Sequence, residues 1–239
     1  MKLLKRKKNR MHAMLISLGA LGALAAAAPA LGIALGQLDD FQDGTTEFWV
    51  GGGGTFSPPP ANIASGGPDG QDDRYLRISA TNSHLGTNNT TPAWTGNYNA
   101  AQVAKIAVYL NNTGPNPLEV RLTVFGPGGT FTATNEQHLD PSSGWIIRDF
   151  NLDASSLTYR PLSGGTGILA DTLADVNTLL FRHDPDPIDP TGTGENVTST
   201  LGIDNIRALP EPGSVAQLTA GVAALVLARS VRRRPRGAR

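Results

Sequence analysis

Residues 118–125 read Leu-Glu-Val-Arg-Leu-Thr-Val-Phe, an alternation of apolar and polar side chains. Successive side chains of a β-strand point to opposite faces, so Glu119, Arg121 and Thr123 share one face and the leucines and valines share the other. One face is therefore expected to be buried and the other to meet water. This is the usual pattern of an antiparallel sheet.

The rest of the central region repeats this pattern. Segments with strand-like composition are Thr45 to Val50, Arg74 to Ala80, Val103 to Leu110, Trp145 to Phe150, Asn177 to His183 and Leu201 to Leu209. Glycine- and proline-rich stretches separate them and disfavour long helices, and only Leu169 to Val176 indicates a short helical turn. At least seven strands joined by irregular loops predict an all-β fold, an antiparallel β-sandwich.

Charge is distributed unevenly along the chain. Of 20 basic residues, six lie in the first ten positions and six in the last eleven, and residues 37–210 carry eight basic and 19 acidic residues, a net charge of about −11. This segment has one lysine, Lys105, and no basic stripe, which excludes nucleic acid as a partner. The absence of cysteine excludes disulfides and thiolate metal sites.

The N-terminus has the pattern of a signal peptide. A basic stretch, residues 1–10, precedes an uncharged run rich in alanine, glycine and leucine, residues 14–35. Signal peptidase has two small-x-small sites available, after Ala30 and after Gly36. We favour the second because Pro29 restrains the first, which predicts a signal peptide over 1–36 and a domain over 37–209. The alternative is an uncleaved membrane anchor.

The C-terminus combines three parts: Pro210-Glu211-Pro212, an apolar stretch over 214–228, and an arginine cluster. The prolines keep the motif extended and accessible. Fifteen helical residues rise only about 22 Å, short of the roughly 30 Å hydrocarbon core, so this predicted transmembrane helix is a weak permanent anchor. The arginines would hold the extreme C-terminus in the cytoplasm, leaving the domain outside.

This tail, residues 210–239, resembles the PEP-CTERM sorting signal of Gram-negative bacteria, which exosortase recognises. The resemblance implies export and transient retention in the inner membrane. It also implies cleavage by exosortase near the sorting motif Pro210, Glu211 and Pro212, followed by release to the cell surface or an extracellular matrix of exopolysaccharide. The alternative is a simple C-terminal anchor.

The two ends of the central domain resemble jelly-roll modules typified by carbohydrate-binding domains. Residues 39–44, Asp-Asp-Phe-Gln-Asp-Gly, resemble the first strand and turn, and residues 201–206, Leu-Gly-Ile-Asp-Asn-Ile, resemble the last strand. The resemblance implies that these strands are neighbours and that a structural Ca²⁺ lies near them. Its ligands would be Asp204 with Asp40 or Asp43, and Asp72 or Asp73 could add another. The alternative is that these acids hydrogen-bond turn amides.

Glycan binding would require an exposed aromatic ring beside polar groups. Trp94 and Tyr98 are the candidate ligand-binding residues, because the polar, loop-like run 91–99 has no strand alternation to bury them. Trp49 and Trp145 lie in strand-like segments and are assigned to the core.

Catalysis has little support in the sequence. None of the histidines His84, His138 and His183 lies in a hydrolase or metalloprotease motif, and with 19 acids a close carboxylate pair carries no information. We therefore expect a non-enzymatic, exported β-sandwich protein, with exopolysaccharide or another glycan as the candidate ligand. A purely structural envelope protein and a glycoside-active enzyme are the alternatives.

Overall fold

The computed structural model describes residues 32–52, 58–161, 164–187 and 194–211, and these form two antiparallel β-sheets. The described strands are β1 (Leu38–Asp39), β2 (Val50–Gly51), β3 (Ala61–Ile63), β4 (Tyr75–His84), β5 (Gly86–Asn89), β6 (Lys105–Asn112), β7 (Leu118–Gly126), β8 (Gly129–Ala133), β9 (Gln137–Leu139), β10 (Ile146–Asn151), β11 (Leu157–Arg160), β12 (Thr178–His183) and β13 (Asn196–Leu209). One short helix, α1 (Leu169–Ala174), lies within the predicted helical turn. The predicted all-β sandwich is confirmed.

Within each sheet, neighbouring strands are often distant from one another in sequence. Sheet A has the order β10-β6-β13-β4-β3, with β1 also paired to β13. Sheet B has the order β11-β8-β7-β12-β5-β2, with β9 also paired to β7. Each sheet contributes one face to the core and turns the other outward.

Alternation along the strands builds the core. In β7 the side chains of Leu118, Val120, Leu122 and Val124 are fully buried, as the sequence predicts. They face the apolar side of sheet A, where β4, β6 and β13 supply further leucine and isoleucine side chains.

The first and last strands of the domain are neighbours, as the jelly-roll resemblance implies. In the pairing of β1 with β13, Leu38 lies opposite Arg207 and Asp39 opposite Ile206. The register between β13 and β6 shifts between Asp204 and Arg207, which marks a β-bulge or similar irregularity where β1 joins the sheet.

The predicted strand over residues 45–50 is wrong except at its last residue. Only Val50 belongs to a strand, and the preceding residues form turns in which Glu47 and Phe48 have φ values of 48° and 64°. Positive φ is incompatible with an extended strand. The strands β5, β8 and β11 were not predicted because they are only four or five residues long and contain few apolar side chains, too short a pattern to identify a strand.

Candidate functional site

The predicted ligand-binding residues Trp94 and Tyr98 are both fully buried, which overturns their assignment as exposed aromatics. The indole Nε1 of Trp94 donates a 2.6 Å hydrogen bond to Oδ2 of Asp39. The Tyr98 hydroxyl donates to the backbone oxygen of Trp94 at 2.9 Å. Asn97 and Asn99 of the same run stay exposed while the two rings point inward, so these rings belong to the core.

Asp39 is the centre of this buried polar cluster. Its Oδ2 also accepts a 2.7 Å hydrogen bond from Nε1 of Trp49, a tryptophan correctly assigned to the core, while Oδ1 accepts from Gln37. The two indole rings lie 6.0 Å apart. Burial and the neighbouring Asp39 carboxyl together raise the pKa of Glu47 to about 8. Sequence analysis assigned Asp39 no role beyond the opening motif.

The predicted calcium ligands lie in different environments. Asp43 is exposed, and its carboxylate accepts hydrogen bonds from the backbone N–H and the hydroxyl of Thr45. This is the hydrogen bonding within a turn that was the alternative to calcium binding. Asp40 accepts from the backbone N–H of Gln42 at 3.1 Å. Asp204 is fully buried and accepts from the N–H of Asn205 at 2.7 Å.

Asp204 and Asp40 are close enough to influence each other electrostatically. Burial raises the pKa of Asp204 to about 8, and the carboxylates of Asp73, Asp40 and Asp69 add to the effect. Among the described residues, no group of three or more histidine, aspartate or glutamate side chains is arranged to hold a metal ion. Calcium binding stays a prediction, and melting the protein in calcium chloride and in chelator tests it: an unchanged midpoint contradicts it.

The raised pKa of Asp204 predicts a pH-dependent stability. An aspartate in the unfolded chain loses its proton near pH 4, whereas folded Asp204 keeps its proton up to about pH 8. Stability should therefore fall as pH rises from about 4 to about 8. We expect a melting temperature about 5 °C lower at pH 8 than at pH 5. Asp204→Asn should reduce this difference and Asp72→Asn, at an exposed acid, should not. Equal pH profiles for wild type and Asp204→Asn would contradict the assignment.

Two aromatic rings lie together on the outward face of sheet A. Tyr75 begins β4 and Trp145 immediately precedes β10, and both side chains are half-buried. Their ring centroids are 5.2 Å apart, with an edge-to-face angle of 76°. We call Tyr75 and Trp145 the aromatic pair.

The aromatic pair is held in place by its surroundings. Trp145 donates a 2.8 Å hydrogen bond from Nε1 to the backbone oxygen of Gly66, in the loop before β4. Both rings lie over Gly202 of β13, where an added Cβ would come within 2.8 Å of Trp145 and 3.3 Å of Tyr75. A glycine at this position lets the rings approach the sheet closely. The orientation of Trp145 is thus fixed before any ligand arrives.

Polar groups flank the aromatic pair. In the row of residues that crosses sheet A at Gly202, its neighbours are Arg77 on β4 and Asn111 on β6. Arg77 is exposed and Asn111 is half-buried, and neither side chain has a hydrogen-bond partner in the described part of the chain. This outward face therefore offers a positioned indole beside hydrogen-bond donors and an acceptor.

The assignment of Trp145 to the core is wrong. Alternation places the buried side chain of Phe150 on the inner face of β10, so the odd-numbered residues Ile147 and Trp145 point outward, and Ile147 is 55% exposed. Trp145 and Phe150 are an odd number of positions apart, so alternation along this segment predicts that their side chains point to opposite faces of the sheet. Tyr75 lies in the predicted strand Arg74 to Ala80, where alternation with the buried Leu76 and Ile78 likewise places it on the outward face.

Sheet B carries a cluster of buried charges on the face opposite its apolar core, and Arg121 and Thr123 of β7 are buried there although alternation predicted that this face meets water. Arg160 and Arg182 both contact Oδ2 of Asp184, and Arg121 donates to the backbone oxygen of Asp184 at 2.6 Å. All four side chains are buried. Asp184 directly follows β12 and is fully buried, and its carboxylate forms ion pairs with two buried guanidinium groups.

The predicted sorting motif lies at the end of the described chain. Pro210 is half-buried and Glu211 is exposed directly after β13, while Pro212, the apolar stretch and the arginine cluster lie outside the described residues. Within residues 32–211, as far as they are described, no helix has the length and apolar character to cross a membrane.

Comparison with known proteins gives fold relatives. No family model and no curated protein matches the chain. A family 11 carbohydrate-binding module from Clostridium thermocellum, in complex with a β-1,3-1,4-mixed-linked tetrasaccharide, is 17% identical, with 74% of this chain and 97% of that chain covered and a TM-score of 0.47. A family 30 module of a cellulosomal cellulase from the same organism is 13% identical, with coverages of 69% and 92% and a TM-score of 0.44.

An exo-β-agarase gives a TM-score of 0.51 at 15% identity, and the match covers 72% of this chain and 24% of the agarase. The likeness therefore concerns about a quarter of that enzyme. At these identities the comparisons show the fold alone. The chain is an antiparallel β-sandwich, a fold that it shares with about a quarter of the exo-β-agarase.

Proposed function

We propose that this protein is a non-catalytic glycan-binding protein and that the aromatic pair is its binding surface. The observation that carries the proposal is the indole of Trp145, which is partly exposed on sheet A and fixed by Gly66 and Tyr75. A ring that is already ordered loses little conformational entropy when a ligand stacks on it. The apolar CH face of a pyranose is suited to such a ring.

The polar neighbours of the aromatic pair complete the proposed site. Arg77 donates hydrogen bonds, and the Asn111 amide both donates and accepts them. Sugar hydroxyls also donate and accept, so both side chains are suited to them. A surface that combines apolar stacking with a few polar groups is the usual chemistry of a small-molecule site.

The net charge of the domain predicts which class of glycan it binds. Residues 37–210 carry a net charge of about −11, which repels a polyanion at moderate ionic strength. We therefore expect neutral polysaccharides as ligands. Affinity gel electrophoresis tests this: neutral β-1,3-1,4-glucan or agarose in the gel should retard the protein, and alginate should not.

Each other outcome of this experiment contradicts part of the proposal. Retardation by alginate alone would refute the neutral class, and retardation by no polysaccharide would favour a structural envelope protein. Release of new reducing ends from the glucan or agarose would refute the non-catalytic assignment.

We further propose that the protein is exported and processed by exosortase at the tail that begins with Pro210. The three-part order of motif, apolar stretch and arginine cluster supports this. The exposure of Glu211 directly after β13 is consistent with a cleavable junction. The intact mass of the protein from the outer fraction of its native host tests the proposal: the tail should be absent, and a chain still ending at Arg239 would contradict it.

A further inference from the structure

Residues 32–37 form part of the folded sandwich, although most of them precede the predicted start of the domain. Ile33 is 3% exposed and belongs to the hydrophobic core. Its backbone N–H donates a 2.7 Å hydrogen bond to the oxygen of Thr95. The N–H of Gly36 donates to the oxygen of Ala208 at 2.9 Å, which ties the segment to β13.

The backbone at the start of this segment fits closely against the loop that contains Trp94. A Cβ added to Gly32 would lie 3.1 Å from the oxygen of Thr95, and a Cβ added to Gly96 would lie 3.2 Å from Cα of Gly32. Both glycines have positive φ, 153° for Gly32 and 108° for Gly96. Glycine stands on both sides of the point where the two backbones approach each other closely. This indicates that residues 32 and 33 pack in a fixed position against the domain.

The two candidate signal-peptidase sites therefore have different consequences for the fold. Cleavage after Gly36 would remove Ile33 from the core and would leave the Ala208 oxygen without the Gly36 donor. Cleavage after Ala30 would keep every one of these contacts. A buried apolar side chain is costly to lose because the cavity that it leaves does not fully collapse.

We propose that the mature protein begins at Leu31, a proposal that rests on the proposed export. Signal peptidase would hydrolyse the amide bond between Ala30 and Leu31. Water supplies the hydroxyl of the new Ala30 carboxyl group and the proton of the new Leu31 amino group. Ala28 and Ala30 are the small residues that the peptidase requires. Contrary to the preference drawn from the sequence, Pro29 does not disfavour this site, because its φ of about −65° and its effect on the preceding residue both favour the extended backbone of a peptidase substrate.

N-terminal sequencing of the full-length chain, expressed in a Gram-negative host and recovered after export, tests the proposal. Two variants place the same bulky residue at the third position before each cut: Ala28→Leu for the upstream site and Ala34→Leu for the downstream site. Ala34 is exposed, so its substitution leaves the core intact. We expect the wild type and Ala34→Leu to begin at Leu31, and Ala28→Leu to lose that N-terminus.

The opposing outcomes separate the failure of this inference from the failure of export. Mature wild type that begins at Gln37 would overturn the inference and leave export standing, as would loss of processing in Ala34→Leu with normal processing of Ala28→Leu. Exported protein that still begins at Met1 would overturn the cleavable signal peptide and this inference together.

Discussion

Replacement of Asp39 by alanine is expected to lower the free energy of unfolding by about 4 kcal/mol. The substitution leaves the buried indole N–H groups of Trp49 and Trp94 without their acceptor, and each unsatisfied buried donor costs about 1–3 kcal/mol. Relief of the raised pKa of Glu47, to which Asp39 contributes, offsets part of this cost near neutral pH. The net effect is large because Asp39 is 3% exposed and water cannot replace it.

Urea denaturation of matched variants measures this effect. Asp39→Asn keeps one oxygen that can accept from the indoles, so it should lose less than half as much stability as Asp39→Ala. Asp40→Ala is the control: in the described residues the Asp40 side chain accepts one hydrogen bond, from Gln42, and its loss should cost less than about 1 kcal/mol. Equal midpoints for Asp39→Ala and Asp40→Ala would contradict the role assigned to Asp39.

The architecture of this protein was predictable because it depends on periodicity. The alternation in residues 118–125 predicted β7 and its buried face, and the breaker-rich connections predicted an antiparallel sandwich. The resemblance of residues 39–44 and 201–206 to terminal jelly-roll strands implied that these segments are neighbours, as β1 and β13 are. These features are local or rest on a short motif, so a single sequence is enough to predict them.

The candidate site was less predictable because it depends on contacts between distant segments. Trp94 lies in a polar run and is nevertheless buried, with its indole N–H accepted by Asp39, 55 residues earlier. Trp145 lies in a strand-like segment and points outward by alternation with Phe150, and Gly202 and Gly66, both distant in sequence, support its ring there. No short window of sequence contains both Trp94 and Asp39, so local context predicted the wrong position for Trp94, whereas alternation with Phe150 was available for Trp145.

Replacement of Trp145 by alanine is expected to weaken glycan binding by about 30-fold or more, a loss of about 2 kcal/mol. The indole is the largest partly exposed surface of the aromatic pair, and its loss also leaves Tyr75 without its edge-to-face partner. The fold should survive, because Trp145 lies outside the core that joins the two sheets. A cooperative melting transition in the variant separates lost binding from lost structure.

Two control variants test whether the loss of binding is specific to the indole of Trp145. Phe48 is an aromatic side chain that is 76% exposed and lies next to β2 of sheet B, so Phe48→Ala removes an exposed ring away from the proposed site. Trp145→Tyr keeps a ring at the site but removes the indole, and it should retain a part of the affinity. Trp94→Ala is unsuitable as a binding variant, because removal of this buried ring should itself cost about 3–5 kcal/mol of stability.

Isothermal titration of the wild type, Trp145→Ala and Phe48→Ala with soluble β-1,3-1,4-glucan is the most direct test of the aromatic pair as the binding surface. A heat of binding for the wild type and Phe48→Ala that is lost in a folded Trp145→Ala would agree with this assignment. Undiminished binding by Trp145→Ala, or loss of binding in Phe48→Ala alone, would contradict it.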